Sequence, residues 1–304
     1  MTLGIYIPTY NRPSELRLQL RSLLPQMTDQ VSLHVRDNAS TSYDWETFRQ
    51  EFSHPRAEFH QNACNIGGNA NIALAFPLMG QHTYLWILSD NDLLTEEAVS
   101  LVLKELKEAP DLLVFGHTSD DYQATVNPGE GWNEFCPGLI SHGVYRSEVF
   151  RKHAQYGFLL HNSSFPHLAV YYATAAHEGF RVKYSTGKII SSKDRVDGEI
   201  GDYSLALGGM PLLCYLFPAA SRRKFLKVWI KANGFSHFFE NKRELEFVTD
   251  NTRLLLRKYV LFEYLSVIVG GSLSVTWRGF RKSQIVQKLW LPIKKFLIAK
   301  GIRR

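Results

Sequence analysis

The sequence predicts an α/β protein in which a mostly parallel sheet carries helices on both faces and a basic helical region follows. Up to about residue 192, short apolar runs alternate with segments of helical period, as repeated strand–helix units do. The run Tyr84-Leu85-Trp86-Ile87-Leu88 is apolar throughout, as in a strand covered on both faces. Beyond residue 220 the alternation stops and the charge changes sign. From Ser221 onward 19 Lys+Arg face 5 Asp+Glu, while residues 1–220 hold 16 and 24.

Leu3–Ile7 reads as the first strand, and Pro13 opens a helix with an apolar stripe at Leu16, Leu20, Leu23 and Leu24. Val31–Val35 is a second strand, Tyr43–Phe52 a helix, and Ala57–His60 a short strand. A glycine loop then leads to a helix at Asn69–Leu78. The central strand Tyr84–Leu88 precedes a helix at Glu96–Lys107 and a strand at Leu112–Gly116. Residues 119–137 are polar and turn-rich, with Asn127-Pro128-Gly129 and Gly131, and read as a loop excursion. A segment at Gly138–Tyr145, a helix after Ser147 and a helix at Phe165–Glu178 follow, with Phe180–Tyr184 and Lys188–Ser191 as closing strands. The charged, glycine-containing stretch Lys193–Tyr203 reads as a linker or lid. The expected division is therefore a domain at 1–205 and a basic helical region at 206–304.

A chain of 304 residues can hold one large or two modest domains. Cys64, Cys136 and Cys214 are far apart and include no C-x-x-C pair. That argues against a disulfide framework or a zinc site and fits a reducing compartment. Leu3–Ile7 runs straight into Pro8-Thr9 rather than a cleavage site, so no secretory leader is expected. The expected location is the cytosol or the cytosolic face of a membrane. The P-loop, G-x-G-x-x-G, G-x-S-x-G and H-E-x-x-H patterns are absent.

Each of the first four strands ends in a polar cluster. The first gives Pro8-Thr9-Tyr10-Asn11-Arg12 and the second Asp37-Asn38-Ala39-Ser40. After the third comes Asn65-Ile66-Gly67-Gly68-Asn69-Ala70-Asn71, and the fourth ends in Asp90-Asn91-Asp92. In a parallel sheet such ends share one edge, where ligands of open α/β folds bind. Two acids one residue apart can there serve a sugar hydroxyl and a divalent cation bridging phosphates. An isolated D-x-D is equally a loop before a helix. Four polar strand ends in a row describe a binding site.

Taken together, Ile-Pro-Thr-Tyr-Asn-Arg, Asp-Asn-Ala-Ser, Asn-x-Gly and the apolar strand ending in Asp-x-Asp resemble the inverting glycosyltransferases of family 2, which have the GT-A fold. The resemblance covers roughly residues 3–192. It implies that Pro8, Thr9 and Tyr10 line the nucleotide pocket, with Arg12 near the phosphates. Asp37 matches the acid that binds the nucleobase edge, and Asn65, Gly67 and Asn71 match the segment flanking the nucleotide. Asp90, with Asn91 beside it, matches the contact to ribose or donor sugar. Asp92 matches the ligand of Mg²⁺ or Mn²⁺, hard ions suited by carboxylate oxygens. Hexosyl or deoxyhexosyl transfer follows from the same resemblance.

The sequence departs from the family at the base. Members usually carry an acidic pair opening a helix, and Pro166 and His167 occupy those positions. His167 would be a competent base, with an ordinary pKa near neutrality. It also reads as a packed histidine at a helix start, or as a metal or phosphate ligand. Asp120 and Asp121 are reserve candidates for the base, and Gly138–His142 resembles the segment entering the acceptor cleft. The competing reading of the chain is a nucleotide-sugar-binding scaffold in glycan assembly.

In the C-terminal region basic residues interleave with large apolar ones, from Arg222-Arg223-Lys224-Phe225-Leu226-Lys227 to Val286–Ile298. Trp229, Trp277 and Trp290 lie among them. This is the composition of helices lying in a bilayer interface, so an anionic membrane surface is the expected partner. A solvated basic face on a helical bundle has the same composition. Nucleic acid fits poorly beside a sugar-nucleotide site. Tyr259–Trp277 approaches the length of a membrane span, but Glu263, Gly270 and Gly271 weaken it. The sequence as a whole predicts a metal-dependent glycosyltransferase, peripheral on the cytosolic membrane face. Its expected partners are a nucleotide-sugar donor and a glycan or lipid-linked glycan acceptor.

Overall fold

The computed structural model describes residues 1–116, 120–129, 139–161, 165–191, 210–233, 254–255 and 258–259. Among them eight strands form one sheet, in the order β3-β2-β1-β4-β7-β5-β8-β6. The first half is parallel: β1 (Leu3–Thr9) pairs with β2 (Val31–Asp37) and β4 (Tyr84–Ile87), and β2 pairs with β3 (Ala57–Gln61). In the second half, β7 (Gly143–Arg146) runs antiparallel between β4 and β5 (Leu112–Phe115). There β8 (Phe180–Ser185) is parallel to β5, and β6 (Tyr122–Val126) closes the edge antiparallel to β8.

Alternation along the strands sends side chains into two cores, one on each face. Leu3, Ile5 and Ile7 join Tyr84, Trp86 and Leu88 on one face. That face is covered by α1 (Pro13–Leu23), through Leu16, Leu20 and Leu23, and by α4 (Ala98–Glu105). Pro13 fits the first helical position, where its missing N–H would have no helical partner anyway. Gln26 joins the two helices: its Nε2 donates to Ser22 O and Thr95 O, and its Oε1 accepts from Val99 N at 3.0 Å. The helix after Glu96 thus starts under a tertiary cap at Ala98. Thr95 instead donates its hydroxyl to Lys188 O.

The opposite face is covered by α3 (Gly68–Ala73), α5 (Ser147–Phe150), α6 (Gln155–Leu159) and α7 (Pro166–His177). The seventh helix is buried from Pro166 through Ala176, so it is apolar all round rather than amphipathic. Its outer side is closed by the turn Met210–Leu216 and by α8 (Ala219–Asn233). Tyr172 packs its ring 5.3 Å from Phe225 and 6.0 Å from Phe217. Burying Phe225 or Leu226 stabilises this joint by about 1.5–3 kcal/mol each. Below the first core, α2 (Trp45–Glu51) is capped by Asp44, whose carboxylate accepts from Thr47 N at 2.6 Å.

Three expectations are corrected. The stretch 119–137 contains an edge strand, β6, whose Tyr122, Gln123 and Thr125 face solvent, so that it gives a weak apolar signal. The segment at Gly138–Tyr145 becomes a short 3-10 turn, Ile140–His142, followed by the antiparallel β7. Lys188–Ser191 is not a strand: Ile190 makes a single antiparallel bridge to Leu94. Flanking bonds Thr95 N→Ile189 O and Ser191 N→Leu93 O fasten that segment behind the Asp90–Asp92 loop. The expected linker Lys193–Tyr203, the boundary near residue 205 and most of the tail, including Trp277 and Trp290, lie outside the described residues. Leu213, Cys214, Leu216, Phe217, Phe225 and Leu226, beyond that boundary, belong to the same buried cluster as α7. No helix among the described residues is long and apolar enough to cross a membrane.

Candidate active site

The parallel strands β1, β2 and β3 and the strand β4 end at one edge, and their loops bind one another there. Thr9 Oγ1 donates to Asp90 Oδ2 at 2.9 Å, and Arg12 Nη1 lies 3.1 Å from Asp90 Oδ1. The loop after β1 is pinned to the loop after β2 through Asn11. Its N–H donates to Ser40 Oγ, and its Oδ1 accepts from Thr41 N and Ser42 N. Asn11 and Ala39 both take positive φ (53° and 59°), which lets two tight turns face each other. Pro8 is half-buried, whereas Tyr10 is exposed beside the cleft.

Asp37 has no exposed surface. Its Oδ1 accepts from Tyr43 OH at 3.0 Å and from Ser40 Oγ, and its Oδ2 accepts from Ser40 N and Gln61 Nε2, each at 2.8 Å. Four donors thus fill a carboxylate's four lone-pair directions. Burial, and then the Asp37 charge, push the Tyr43 phenol well above its ordinary pKa. The protonated phenol is the donor that this arrangement needs.

An asparagine network shapes the next loop. Asn38 Nδ2 donates to Asn65 Oδ1 at 2.8 Å, while Asn38 Oδ1 accepts from Asn62 Nδ2 and Ile66 N. Asn62 also donates to Asn71 Oδ1, and Asn71 Nδ2 donates to Arg36 O. Asn65 Oδ1 accepts from Gly67 N, closing a turn in which Gly67 takes φ 86°. Glycine is required there by that conformation. A Cβ at Gly67 or Gly68 would meet nothing within 4 Å, so the loop borders open space.

The fourth loop carries the acids. Asp90 is 5 % exposed; burial pushes its carboxyl above the ordinary range, against the opposing pull of Arg12 and Thr9. Asn91 Oδ1 accepts from Ser89 Oγ at 2.6 Å. Asp92 is 7 % exposed and its Oδ2 accepts from Ser141 Oγ at 2.7 Å. Its Oδ1 accepts no hydrogen bond from a described residue. No three His, Cys, Asp or Glu side chains among the described residues group as a metal cage. Mg²⁺ and Mn²⁺ in nucleotide sites need no such cage, since one or two carboxylates suffice with phosphates and water. A carboxylate with one oxygen held and the other without a hydrogen bond from the described residues fits that requirement.

His167 stands in the first turn of α7 and is 2 % exposed, its ring edge-on to Phe165 at 5.7 Å. Its place follows from topology. Because β4 and β5 are both antiparallel to β7, they share a direction, and β8 is parallel to β5. The seventh helix packs on the sheet and reaches β8 through two residues, Glu178 and Gly179, so it runs opposite to β8. Its first turn therefore lies at the edge where Asp37, Asp90 and Asp92 sit. Ser163 and Ser164, before it, are outside the described residues. Asp120 is exposed. Asp121 is bound to Thr186, its Oδ1 accepting from both the N–H and the hydroxyl at 2.7 Å, and these bonds lower its pKa. Three strand spacings separate β8 from β4, about 14 Å. Asp121 is thus on the correct edge but displaced from the Asp90–Asp92 loop.

Sequence reasoning missed Tyr43, Gln61, Asn62 and Ser141, which touch the expected site residues. Asn38 and Ser40 stood inside the quoted Asp-Asn-Ala-Ser cluster. Gln61 and Asn62 carried no such signal, because their contacts arise only when β3 pairs with β2.

A sheet whose strand ends gather carboxylates, amides and an open glycine loop defines a nucleotide-binding α/β protein of GT-A type. The family model for glycosyl transferase family 2 matches residues 4–176. The chain belongs to that family and is a glycosyltransferase. Its fold is similar to that of S. aureus TarS 1-349, with a TM-score of 0.59 at 14% identity over 86% of this chain and 81% of that one. The same TarS fragment in complex with UDP-GlcNAc gives a TM-score of 0.54 at 15% identity, covering 85% and 82%. The mannosyltransferase PcManGT from Pyrobaculum calidifontis, in complex with GDP-Man and Mn²⁺, gives 0.51 at 11% identity, covering 99% and 86%. No curated protein matches the chain.

Proposed function

We propose that this glycosyltransferase moves a sugar, with inversion, from a nucleoside-diphosphate donor to a hydroxyl of a lipid-linked surface glycan. The observation that carries the reading is the Asp90–Asp92 loop. It is tied to the loop after β1 through Thr9 and Arg12 and to the turn before β7 through Ser141, and one Asp92 oxygen accepts no hydrogen bond among the described residues. Two structures of this fold, TarS and PcManGT, hold UDP-GlcNAc, and GDP-Man with Mn²⁺.

In this reading the loops after β1 and β2 and the Asn65–Gly67 turn take the nucleotide; Asp37, its oxygens already filled, shapes the base edge through the partners it holds, Ser40, Tyr43 and Gln61. Arg12 turns toward the phosphates, and Asp90 accepts from ribose or donor sugar. Asp92 holds Mg²⁺ or Mn²⁺, which when bound offsets the charge that develops on the departing diphosphate. His167 takes the proton of the acceptor hydroxyl as its oxygen bonds to the anomeric carbon. The bond from that carbon to the phosphate oxygen breaks on the opposite face, and the nucleoside diphosphate leaves with the electron pair.

A panel of nucleotide sugars tested by thermal shift, with and without Mn²⁺, identifies the donor. At a hundredfold excess over Kd, binding adds about 2.7 kcal/mol and a clear rise in Tm. Transfer to a glycan acceptor should follow with the same donor. Tight donor binding with no transfer and no donor hydrolysis would favour a scaffold.

Docking of this enzyme on anionic membrane is part of the proposal. The eighth helix turns Phe225 and Leu226 inward and exposes Arg223, Lys224 and Lys227, and Lys258 is exposed nearby. Each basic residue near an acidic bilayer contributes about 1 kcal/mol. Because Phe225 and Leu226 belong to the core, charge reversal tests docking better than truncation at residue 220. Changing Arg223, Lys224 and Lys227 to Glu should abolish flotation with acidic vesicles at low salt. Unchanged flotation defeats docking through this face.

A further inference from the structure

We infer that Ser141 is the positioning residue for Asp92, fixing the carboxylate that meets the divalent ion; the inference rests on the metal-dependent reading above. Ser141 has no exposed surface. Its carbonyl accepts from Trp86 Nε1 at 2.8 Å, its Oγ accepts from Ser89 N at 2.9 Å, and the same hydroxyl donates to Asp92 Oδ2 at 2.7 Å. The direction of the last bond is fixed by chemistry. A backbone N–H only donates and an ionised carboxylate only accepts, so the single hydroxyl proton points at Asp92.

The three anchors Trp86, Ser89 and Asp92 are spaced three residues apart, so the chain leaving β4 is gathered on this one serine. The register explains why. Trp86 pairs with Val144 in antiparallel sense, and in the 3-10 turn before β7 Ser141, three residues before Val144, meets Ser89 N, three residues past Trp86. An antiparallel strand begins at the edge where its neighbour ends, which delivers Ser141 beside the acidic loop.

Mg²⁺ demands near-octahedral oxygen geometry and penalises a ligand free to rotate. A carboxylate on a loop has two soft torsions. With Oδ2 held by Ser141, the direction of Oδ1 is set as well. Partners that hold a metal's ligands are typically worth ten- to a hundredfold in metal affinity. The Trp86 bond uses the Ser141 backbone carbonyl and survives replacement of the side chain, whereas the Ser89 N–H bond is lost with the hydroxyl, so metal-free nucleotide binding is the readout that separates a structural role from a metal-positioning one.

The test is Mn²⁺ binding followed by electron paramagnetic resonance, in the presence of UDP and separately of GDP, for the full chain and the variants Ser141→Ala, Ser141→Cys and Asp92→Asn. Ser141→Ala should raise the Mn²⁺ Kd about ten- to a hundredfold. Ser141→Cys, which keeps a weak donor, should fall between it and the parent. Nucleotide binding without metal should stay at the parent value, and turnover should recover at saturating Mn²⁺. Parent-like Mn²⁺ affinity in Ser141→Ala overturns the inference, as does an equal loss of metal-free nucleotide binding. If Asp92→Asn binds Mn²⁺ as the parent does, the assignment of the ion to Asp92 is overturned first, and Ser141 with it.

Discussion

The half-sheet β3-β2-β1-β4 and the half-sheet β7-β5-β8-β6 are continuous but built by different rules. Every pairing in the first half is parallel, and each strand end delivers a loop whose polar groups bind the loops beside it. In the second half only β5 and β8 are parallel. The carboxylates reflect the difference. Among the described residues Asp37, inside the first half, is bound by four donors, whereas Asp92, at the junction with β7, accepts one hydrogen bond on its side chain. In the proposed metal-dependent reading, the carboxylate that shapes the pocket is saturated, and the carboxylate offered to the ion keeps one oxygen without a hydrogen bond from the described residues. The proposed metal site thus lies where the antiparallel strand breaks the pattern.

Removing the junction carboxylate should have the largest effect. Asp92→Ala is expected to reduce metal-dependent transfer by at least about a thousandfold, since a bound ion supplies several kcal/mol of charge stabilisation. Its Tm should stay close to the parent value. Full activity at saturating Mn²⁺ would erase the distinction between Asp92 and Asp37.

Next comes the first turn of α7. His167→Gln should lower kcat by about a hundredfold or more, the usual contribution of a general base, while donor Kd stays constant. Near-normal turnover would pass the base to Asp120 or Asp121, and loss of donor binding would make His167 a phosphate or metal contact.

The carboxylate with four donors should respond differently from the one with a single donor among the described residues. Asp37→Ala leaves the donors of Ser40 and Tyr43, which are half-buried, and of Gln61, which is exposed, without their acceptor, at a cost of about 0.5–1.5 kcal/mol for each lost hydrogen bond. Both the Tm and the nucleotide affinity should fall, with kcat at saturating donor little changed. An unchanged donor Kd would contradict the base-edge role.

The smallest effect belongs to the back of the parallel half. His34 Nε2 and His82 Nε2 lie 2.9 Å apart, with Glu58 on His34 Nδ1 at 3.2 Å. Burial pulls both imidazoles below their ordinary pKa, against the pull of Glu58. Below about pH 6.5 the unfolded chain therefore binds protons that the folded chain refuses, and stability is lost as pH falls through that value. Thermal melts should show a smaller acid loss in His82→Gln than in the parent. Equal slopes would show that the pair does not govern the response.

The sequence by itself determined the parallel half. Strict apolar runs, Pro13 at a helix start, and polar clusters at four strand ends are local signals, and each was legible in consecutive residues. The resemblance to family 2 rested on those same clusters. What the sequence left unread were contacts between segments far apart in the chain. The β6 strand alternates weakly because it lies at an edge, and β7 is four residues long, too short to declare its direction. Gln61, Tyr43 and Ser141 look ordinary until pairing brings them to carboxylates at positions 37 and 92. Tertiary structure decided those contacts because register, not composition, sets which side chains meet across strands, and the register of β7 is what carries Ser141 to Asp92.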